Sequence, residues 1–265
     1  MDKILKIFFD LFLVVFLTIV TQIGGLIYLI CLVFHTKLNN KTKYTKTLCF
    51  LILYSFATFI IAPLLAPKFG REKVNNEFIK PTNIMTIVLN RNYVKKELND
   101  ILIQTAKELK IDGIIVRYLD ANFPFIDKFP LLPHLSHNDG KKIDLSLIYQ
   151  NHRGKILDKR KSISGYGAFV EPQKEETNQI EKCKNNGYFQ YDYPKYLTFG
   201  KINRDIVFSE IGTKKLISEL LKSNKIDKIF IEPHLKNRLA LNNNKIRYHG
   251  CRAVRHDDHI HIQIK

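Results

Sequence analysis

The chain contains no Cys-x-x-Cys pair and no cysteine–histidine finger spacing, so a zinc site built on thiolates is excluded. It has no glycine-rich phosphate loop, no heptad pattern and no repeat at solenoid spacing, which removes P-loop nucleotide chemistry, coiled coils and repeat arrays. Acidic side chains are scarce relative to basic ones. The formal net charge of the 265 residues is +17, and beyond residue 66 it is still +13, with 36 basic against 23 acidic side chains. Such a surplus favours anionic partners, whether nucleic acid, phospholipid headgroups or carboxylate-bearing wall polymers, without choosing among them. A lysine-, asparagine- and isoleucine-rich background composition would produce the same charge with no binding role.

Charge is missing altogether from residues 11–34 and 47–67. Each run is long enough to cross roughly 30 Å of hydrocarbon. A cleaved signal peptide has an apolar core of only about 7 to 15 residues and a small-residue cleavage site, so the first run is too long for one. Two membrane spans are expected, in contact with lipid through 11–34 and 47–67, with Asp10 interfacial and Gln22 tolerated. An even number of spans puts the amino terminus and everything after Pro67 in one compartment. The connecting Lys37, Lys41, Lys43 and Lys46, unaccompanied by an acid, favour a cytoplasmic loop and an external domain, although Lys68, Arg71, Lys73 and Lys80 compete. The expected division is a two-span anchor over 1–67, a polar juxtamembrane linker over 68–81 broken by Asn75, Asn76 and Pro81, and a folded domain over 82–265.

Cys31 and Cys49 fall inside the spans, leaving Cys183 and Cys251 as the pair in the soluble part. An external location permits a disulfide between them, and two unpaired thiols are the alternative. Leu98, Ile101, Leu102, Ala106 and Leu109 recur at helical spacing, and Gly113 then introduces a strand-like run from Ile114 to Leu119. Leu216, Ile217, Leu220 and Leu221 repeat the helix, followed by an apolar strand from Ile226 to Ile231. This order predicts an α+β domain. Residues 154–196, rich in Gly, Lys, Asn and Tyr, read as long loops able to wall a groove.

Five of the nine histidines fall in two tight groups. The chain ends in His256-Asp-Asp-His259-Ile-His261-Ile-Gln-Ile, where strand alternation points His259 and His261 one way and Ile260, Ile262 and Ile264 the other, into a core. The earlier group runs His134-Leu-Ser-His137-Asn-Asp-Gly140, with a turn at 138–140 and a following strand in which Asp144 faces away from Ile143, Leu145 and Leu147. A turn there could bring His137 to Asp144, and two histidines with one carboxylate form a common catalytic zinc set. Asp257 and Asp258 read as exposed or supporting, Ser136 as a turn cap, and His152, His234 and His249 as uninvolved.

Ser136-His137-x-x-Gly140-x-x-x-Asp144, preceded by His134, and His256-x-x-His259-x-His261 near the carboxyl end resemble the penicillin-insensitive murein endopeptidases, within the wider lysostaphin-like and D-Ala-D-Ala metallopeptidase group. The resemblance covers roughly residues 131–265. It implies an antiparallel sheet flanked by helices with long loops, of the hedgehog and D-Ala-D-Ala peptidase type. It also implies one catalytic Zn²⁺ on His137, Asp144 and His261, with His259 beside the attacking water and His256 as an auxiliary active-site histidine. His134 matches a secondary metal or site position. The implied substrate is the peptide stem of peptidoglycan, cut as a D,D-endopeptidase or trimmed as a D,D- or L,D-carboxypeptidase, outside the cytoplasmic membrane. The chain departs from the family in having no tryptophan and in carrying a two-span anchor. A metal-dependent phosphoesterase or nuclease is the rival of another class, but the clustered carboxylates and aromatic-basic interleaving it calls for are missing, so no nucleic-acid partner is expected. A non-catalytic wall-binding membrane protein is a third alternative, against which the intact His/Asp set argues.

Overall fold

The computed structural model describes residues 3–37, 45–74 and 77–265; Lys41, Lys43, Asn75 and Asn76 lie outside them. The uncharged run 11–34 does not form one helix. It is divided between α1 (Lys3–Thr21) and α2 (Gly24–Lys37) by Gln22, whose φ of 67° lies in the left-handed region. The cause is local. Thr21 Oγ1 accepts the Gly24 N–H at 2.8 Å, and Gly25 approaches α1 so closely that a Cβ there would lie 1.9 Å from Thr18 Oγ1. Small residues thus let α2 fold back along α1. Tyr28 then donates to Asp10 at 2.6 Å, and Lys46 reaches the same carboxylate at 2.5 Å, so Asp10 cross-links three helices rather than sitting alone at an interface.

The third helical stretch, Thr45–Phe69, starts as α3 (Thr45–Phe56) and passes through a π turn at Ala57–Ile61. Pro63 has no N–H to return to a preceding carbonyl, and such a gap in the ladder favours a π turn. Ile4–Thr21 and Thr45–Phe69 are long and apolar enough to cross a bilayer, whereas the apolar part of α2, Gly24–His35, is shorter. At the top of the α1–α2 turn, Gln22 Oε1 accepts the Phe125 N–H at 2.9 Å, and from the third stretch Tyr54 donates to the Val88 carbonyl at 2.6 Å. The chain therefore runs toward the domain, away from it and toward it again. The start of α1 lies at the end of the helices opposite the domain, together with Lys37 and Thr45.

Residues 68–81 are not a linker, and the domain does not begin at Thr82. Arg71, Val74 and Ile79 are buried, Glu72–Lys73 pairs with Tyr93–Val94, and Ile79–Pro81 joins the main sheet. The polar residues between them had masked these few inward positions.

The main sheet comprises β1 (Ile79–Pro81), β2 (Val116–Asp120), β3 (Lys142–Ser146), β4 (Ile226–Phe230), β5 (Ile246–Arg247) and β6 (His259–Ile264), in the order β5-β4-β6-β3-β2-β1. Its centre is antiparallel, as expected, but both outer pairs, β5/β4 and β1/β2, are parallel, so the sheet is mixed. One face carries Ile143, Leu145, Ile260, Ile262 and Ile264 into a core with Leu98, Leu102 and Ala106 of α4 (Lys96–Ile111) and Leu216, Ile217 and Leu220 of α5 (Glu210–Leu221). Each fully buried isoleucine contributes about 1.5–3 kcal/mol, enough to hold β6 in the single register that sends its histidines to the other face. Within 154–196, expected as loops, the chain forms the strand Ile156–Leu157, the helix Gln179–Asn185 and a 3-10 stretch at Phe189–Leu197. Cys183 and Cys251 are disulfide-bonded, tying that helix to the segment that precedes β6.

Gly140 ends the turn before β3 with φ of 75°, and its N–H donates to Asn122 Oδ1 at 3.0 Å. A Cβ there would fall 1.3 Å from Nη1 of the buried Arg71, whose guanidinium pairs with Asp127. Gly140→Ala combines left-handed strain with overpacking, and a loss of about 2–4 kcal/mol is expected. Thermal unfolding of the full chain in detergent would record it as a clear fall in midpoint; an unchanged midpoint would refute this account of the glycine.

Candidate metal centre

The polar face of the sheet meets the turn before β3 at one point. In the β6/β3 register His261 lies opposite Asp144 and His259 opposite Ser146, so strand alternation presents His259, His261 and Asp144 on the same side. His137 enters from the turn, held by donation from its Nδ1–H to the Ala121 carbonyl at 3.0 Å. That bond leaves Nε2 as the free lone pair, 3.2 Å from His261 Nδ1 and 3.2 Å from Asp144 Oδ1. His261 Nδ1 is 2.8 Å from the same oxygen. The other oxygen, Asp144 Oδ2, accepts from the Tyr166 hydroxyl at 2.7 Å, which turns Oδ1 toward the imidazoles. Ligand atoms of His137, Asp144 and His261, all buried, lie within 4.8 Å of one another and could hold a metal ion. Two imidazole nitrogens and one carboxylate suit zinc chemically; Asp144 outweighs burial and raises His137, whose Nε2 would give up its proton on binding the metal.

His259 lies beside this trio. Its Nε2 is 3.9 Å from Asp144 Oδ1, and its Nδ1 is 2.5 Å from Asp258 Oδ1. Asp258 Oδ2 in turn accepts the Gly167 N–H at 2.5 Å, which fixes the carboxylate and, through it, the ring. Of the two expectations for Asp257 and Asp258, exposed or supporting, the second holds, since both are 0 % exposed: the first pairs with buried Arg255 and the second orients His259. His256 packs its ring 4.8 Å from that of His259 and 5.3 Å from His249, and its backbone N–H donates to Glu232 Oε1 at 2.9 Å. It lines the site but is not in the metal-competent trio. His134 is also outside the trio, with Nδ1 2.9 Å from Asp120 Oδ2 and 3.6 Å from Asp144 Oδ2, and Arg91 pairs with Asp120 behind it.

Electrostatics follow from burial among opposed charges. Burial favours a neutral Asp144, but His137 and His259 outweigh it and hold the carboxyl well below its usual range. Burial pulls His259 down, but Asp258 and Asp144 prevail and raise it to about 9. For His261 burial wins over the Asp144 carboxylate, lowering it to about 4 and keeping a neutral ring. Burial, reinforced by His259, His261 and His249, drives His256 well below its ordinary value.

A cavity of about 490 Å³ opens over these groups, walled by Tyr193, Tyr196 and Arg252 and by His249. His249 stacks on Phe230 at 4.2 Å and stands in the wall of the cavity. His234 donates its Nε2–H to the Val170 carbonyl at 2.7 Å, away from the trio, and His152 is exposed. Sequence reasoning missed Tyr166, Asp120 and Arg91. Asp258 alone carried a signal, its adjacency to His259. No protein-family model matches the chain, and no curated protein matches it.

Proposed function

We propose that this chain is a membrane-anchored zinc peptidase that hydrolyses amide bonds in the peptide stems of peptidoglycan, as a D,D-endopeptidase of the penicillin-insensitive murein endopeptidase kind with a hedgehog and D-Ala-D-Ala peptidase-like domain. The observation that carries the proposal is the convergence of His137 Nε2, Asp144 Oδ1 and His261 Nδ1, with a carboxylate-oriented His259 beside them. When bound, zinc polarises the scissile carbonyl and lowers the pKa of a water toward about 7. His137, Asp144 and His261 would hold the ion, and the Tyr166 hydroxyl, bonded to Asp144 Oδ2, leaves Oδ1 turned toward the imidazoles for it.

In its neutral form, reached above its raised pKa of about 9, His259 Nε2 would accept the proton of the attacking water and return it to the departing amine. Asp258 holds the ring in the Nδ1–H tautomer that leaves Nε2 free for this exchange. His256, kept neutral by its surroundings, offers an N–H to the developing oxyanion. Tyr193 and Tyr196 at the cavity wall contact the peptide, and Arg252 receives a stem carboxylate.

The same reading puts the domain outside the cytoplasmic membrane, on two supports. Lys3, Lys6, Lys37 and Lys46 belong to the helix ends away from it, the arrangement in which the basic end stays inside. The Cys183–Cys251 disulfide accords with an oxidising compartment. The test is to incubate the full chain in detergent with cross-linked muropeptides, with and without chelator, and to follow products by mass spectrometry. Cleavage of the cross-link that chelator abolishes and added zinc restores is expected. Chelator-resistant cleavage, or none in the presence of zinc, would refute the proposal.

A further inference from the structure

The domain does not ride above the end of its membrane helix; it packs against the helix flank. Tyr54, which donates to the Val88 carbonyl, lies 15 residues before Phe69 in the apolar stretch, roughly 22 Å along the helix axis. Asn90, buried and in the left-handed region, donates to Tyr54 Oη at 3.2 Å and to Thr58 Oγ1 at 3.3 Å, fastening the segment around 84–90 to the same level. Beside that contact the domain exposes large apolar side chains: Ile84 at 62 %, Met85 at 51 %, Ile163 at 43 % and Phe199 at 75 %.

These side chains form one patch, because hydrogen bonds join their segments. Asn83 Nδ2 donates to the Ser164 carbonyl at 3.0 Å, the Ser164 N–H to Thr198 at 3.2 Å, and the Ile163 N–H to Gly200 at 3.0 Å. Phe199 is held at a φ of 51°, a strained backbone for an aromatic residue that is turned outward. Contiguous exposed apolar surface of this kind marks a contact with protein or lipid. Two features select lipid. The segment that carries Ile84 and Met85 is bonded to the apolar helix through Tyr54 and Thr58, and the patch is flanked by Lys161, Lys201 and Arg204, suited to anionic headgroups.

A second cavity, of about 180 Å³, joins this patch to the metal centre. Met85, Leu89 and Phe199 line one part of it, and Asp120, His134 and Tyr166 the other. Its His134, Pro133 and Leu197 also line the larger cavity.

We infer that Ile84, Met85, Ile163 and Phe199 lie in the bilayer interface on the domain's side, and that the site acts on stem peptide still carried by a membrane-embedded lipid. The substrate half of this inference rests on the peptidase proposal; the lipid contact does not.

The absence of tryptophan supplies the test of the contact. Full chains carrying Met85→Trp, Phe199→Trp or, as reference, Ile111→Trp at the 85 % exposed end of α4 are reconstituted in vesicles containing phosphatidylglycerol and acyl-brominated phospholipid. Bromine quenching several-fold stronger for the first two than for the reference is expected; equal quenching overturns the lipid contact. In the second arm, the same stem peptide is offered free and attached to a polyprenyl-diphosphate carrier. Ile84→Ser/Ile163→Ser should lower kcat/KM for the lipid-linked peptide by about tenfold and leave the free peptide unchanged. Equal effects on both peptides overturn the substrate class. Strong quenching with no hydrolysis of either peptide by the parent chain supports the lipid contact and refutes the peptidase proposal, and with it the substrate half.

Discussion

Asp144→Ala should bind zinc a hundredfold or more weakly than the parent chain and hydrolyse no muropeptide. Zinc held by four protein ligands gains about 10–16 kcal/mol, so one donor carries on the order of 3 kcal/mol, or a factor of roughly a hundred in affinity. Asp144 brings the trio's one negative charge, buried between His137 and His261. Removing it leaves two imidazoles and no anion to neutralise a divalent cation. The fold should survive, because the isoleucines that set the register of β3 and β6 lie on the opposite face of the sheet. Metal content by mass spectrometry and isothermal titration, alongside a melting curve, checks both halves. Stoichiometric zinc in folded Asp144→Ala would eliminate the proposed site. Tyr166→Phe, which frees Asp144 Oδ2 without touching Oδ1, should weaken zinc only about 10–100-fold, the range for an outer partner of a ligand.

His259→Ala should keep its zinc and lose turnover by about 10²–10⁴-fold, the usual contribution of a positioned acid–base group. The separation of effects follows from geometry. His259 Nε2 is 3.9 Å from Asp144 Oδ1, outside the trio but within reach of a water held there, while its other nitrogen is committed to Asp258. Asp258→Asn should act in the same direction but less severely, since it removes the group that orients the ring and not the ring itself. Asp258 is also the foremost of the carboxylates that raise His259 against burial, so the asparagine variant should show its His259 titration displaced to lower pH. Zinc loss in His259→Ala as large as in Asp144→Ala would make His259 a ligand; undiminished kcat would remove it from the chemistry.

The legible part of this protein lay in short-range pattern. Alternation of histidine with isoleucine over 259–264 indicated a strand with one imidazole face, and the spacing from His137 to Asp144 indicated a turn feeding a second strand; both elements are present. The helix and strand around 98–120 and 210–230 were visible for the same reason, because side chains three, four or two apart report their own periodicity. Less legible were 68–81, where three buried side chains are scattered among polar ones, and the break at Gln22, where composition is as apolar on one side as on the other. That break depends on Thr18, Thr21, Gly24 and Gly25 allowing two backbones to touch, which hydropathy does not register.

Sequence alone determined that this chain carries apolar segments of membrane-crossing length, an α+β domain and two histidine groups with one well-spaced aspartate, because each is written in neighbouring residues. Tertiary structure decided what those groups meet. His261 and Asp144 are 117 residues apart and His137 and His261 are 124 apart, and only strand pairing and the turn at Gly140 make them neighbours. It also brought in Tyr166, Asp120 and Arg91, and it set the domain against the flank of the long apolar helix. Contacts of that range follow from how whole faces pack, and no local periodicity records them.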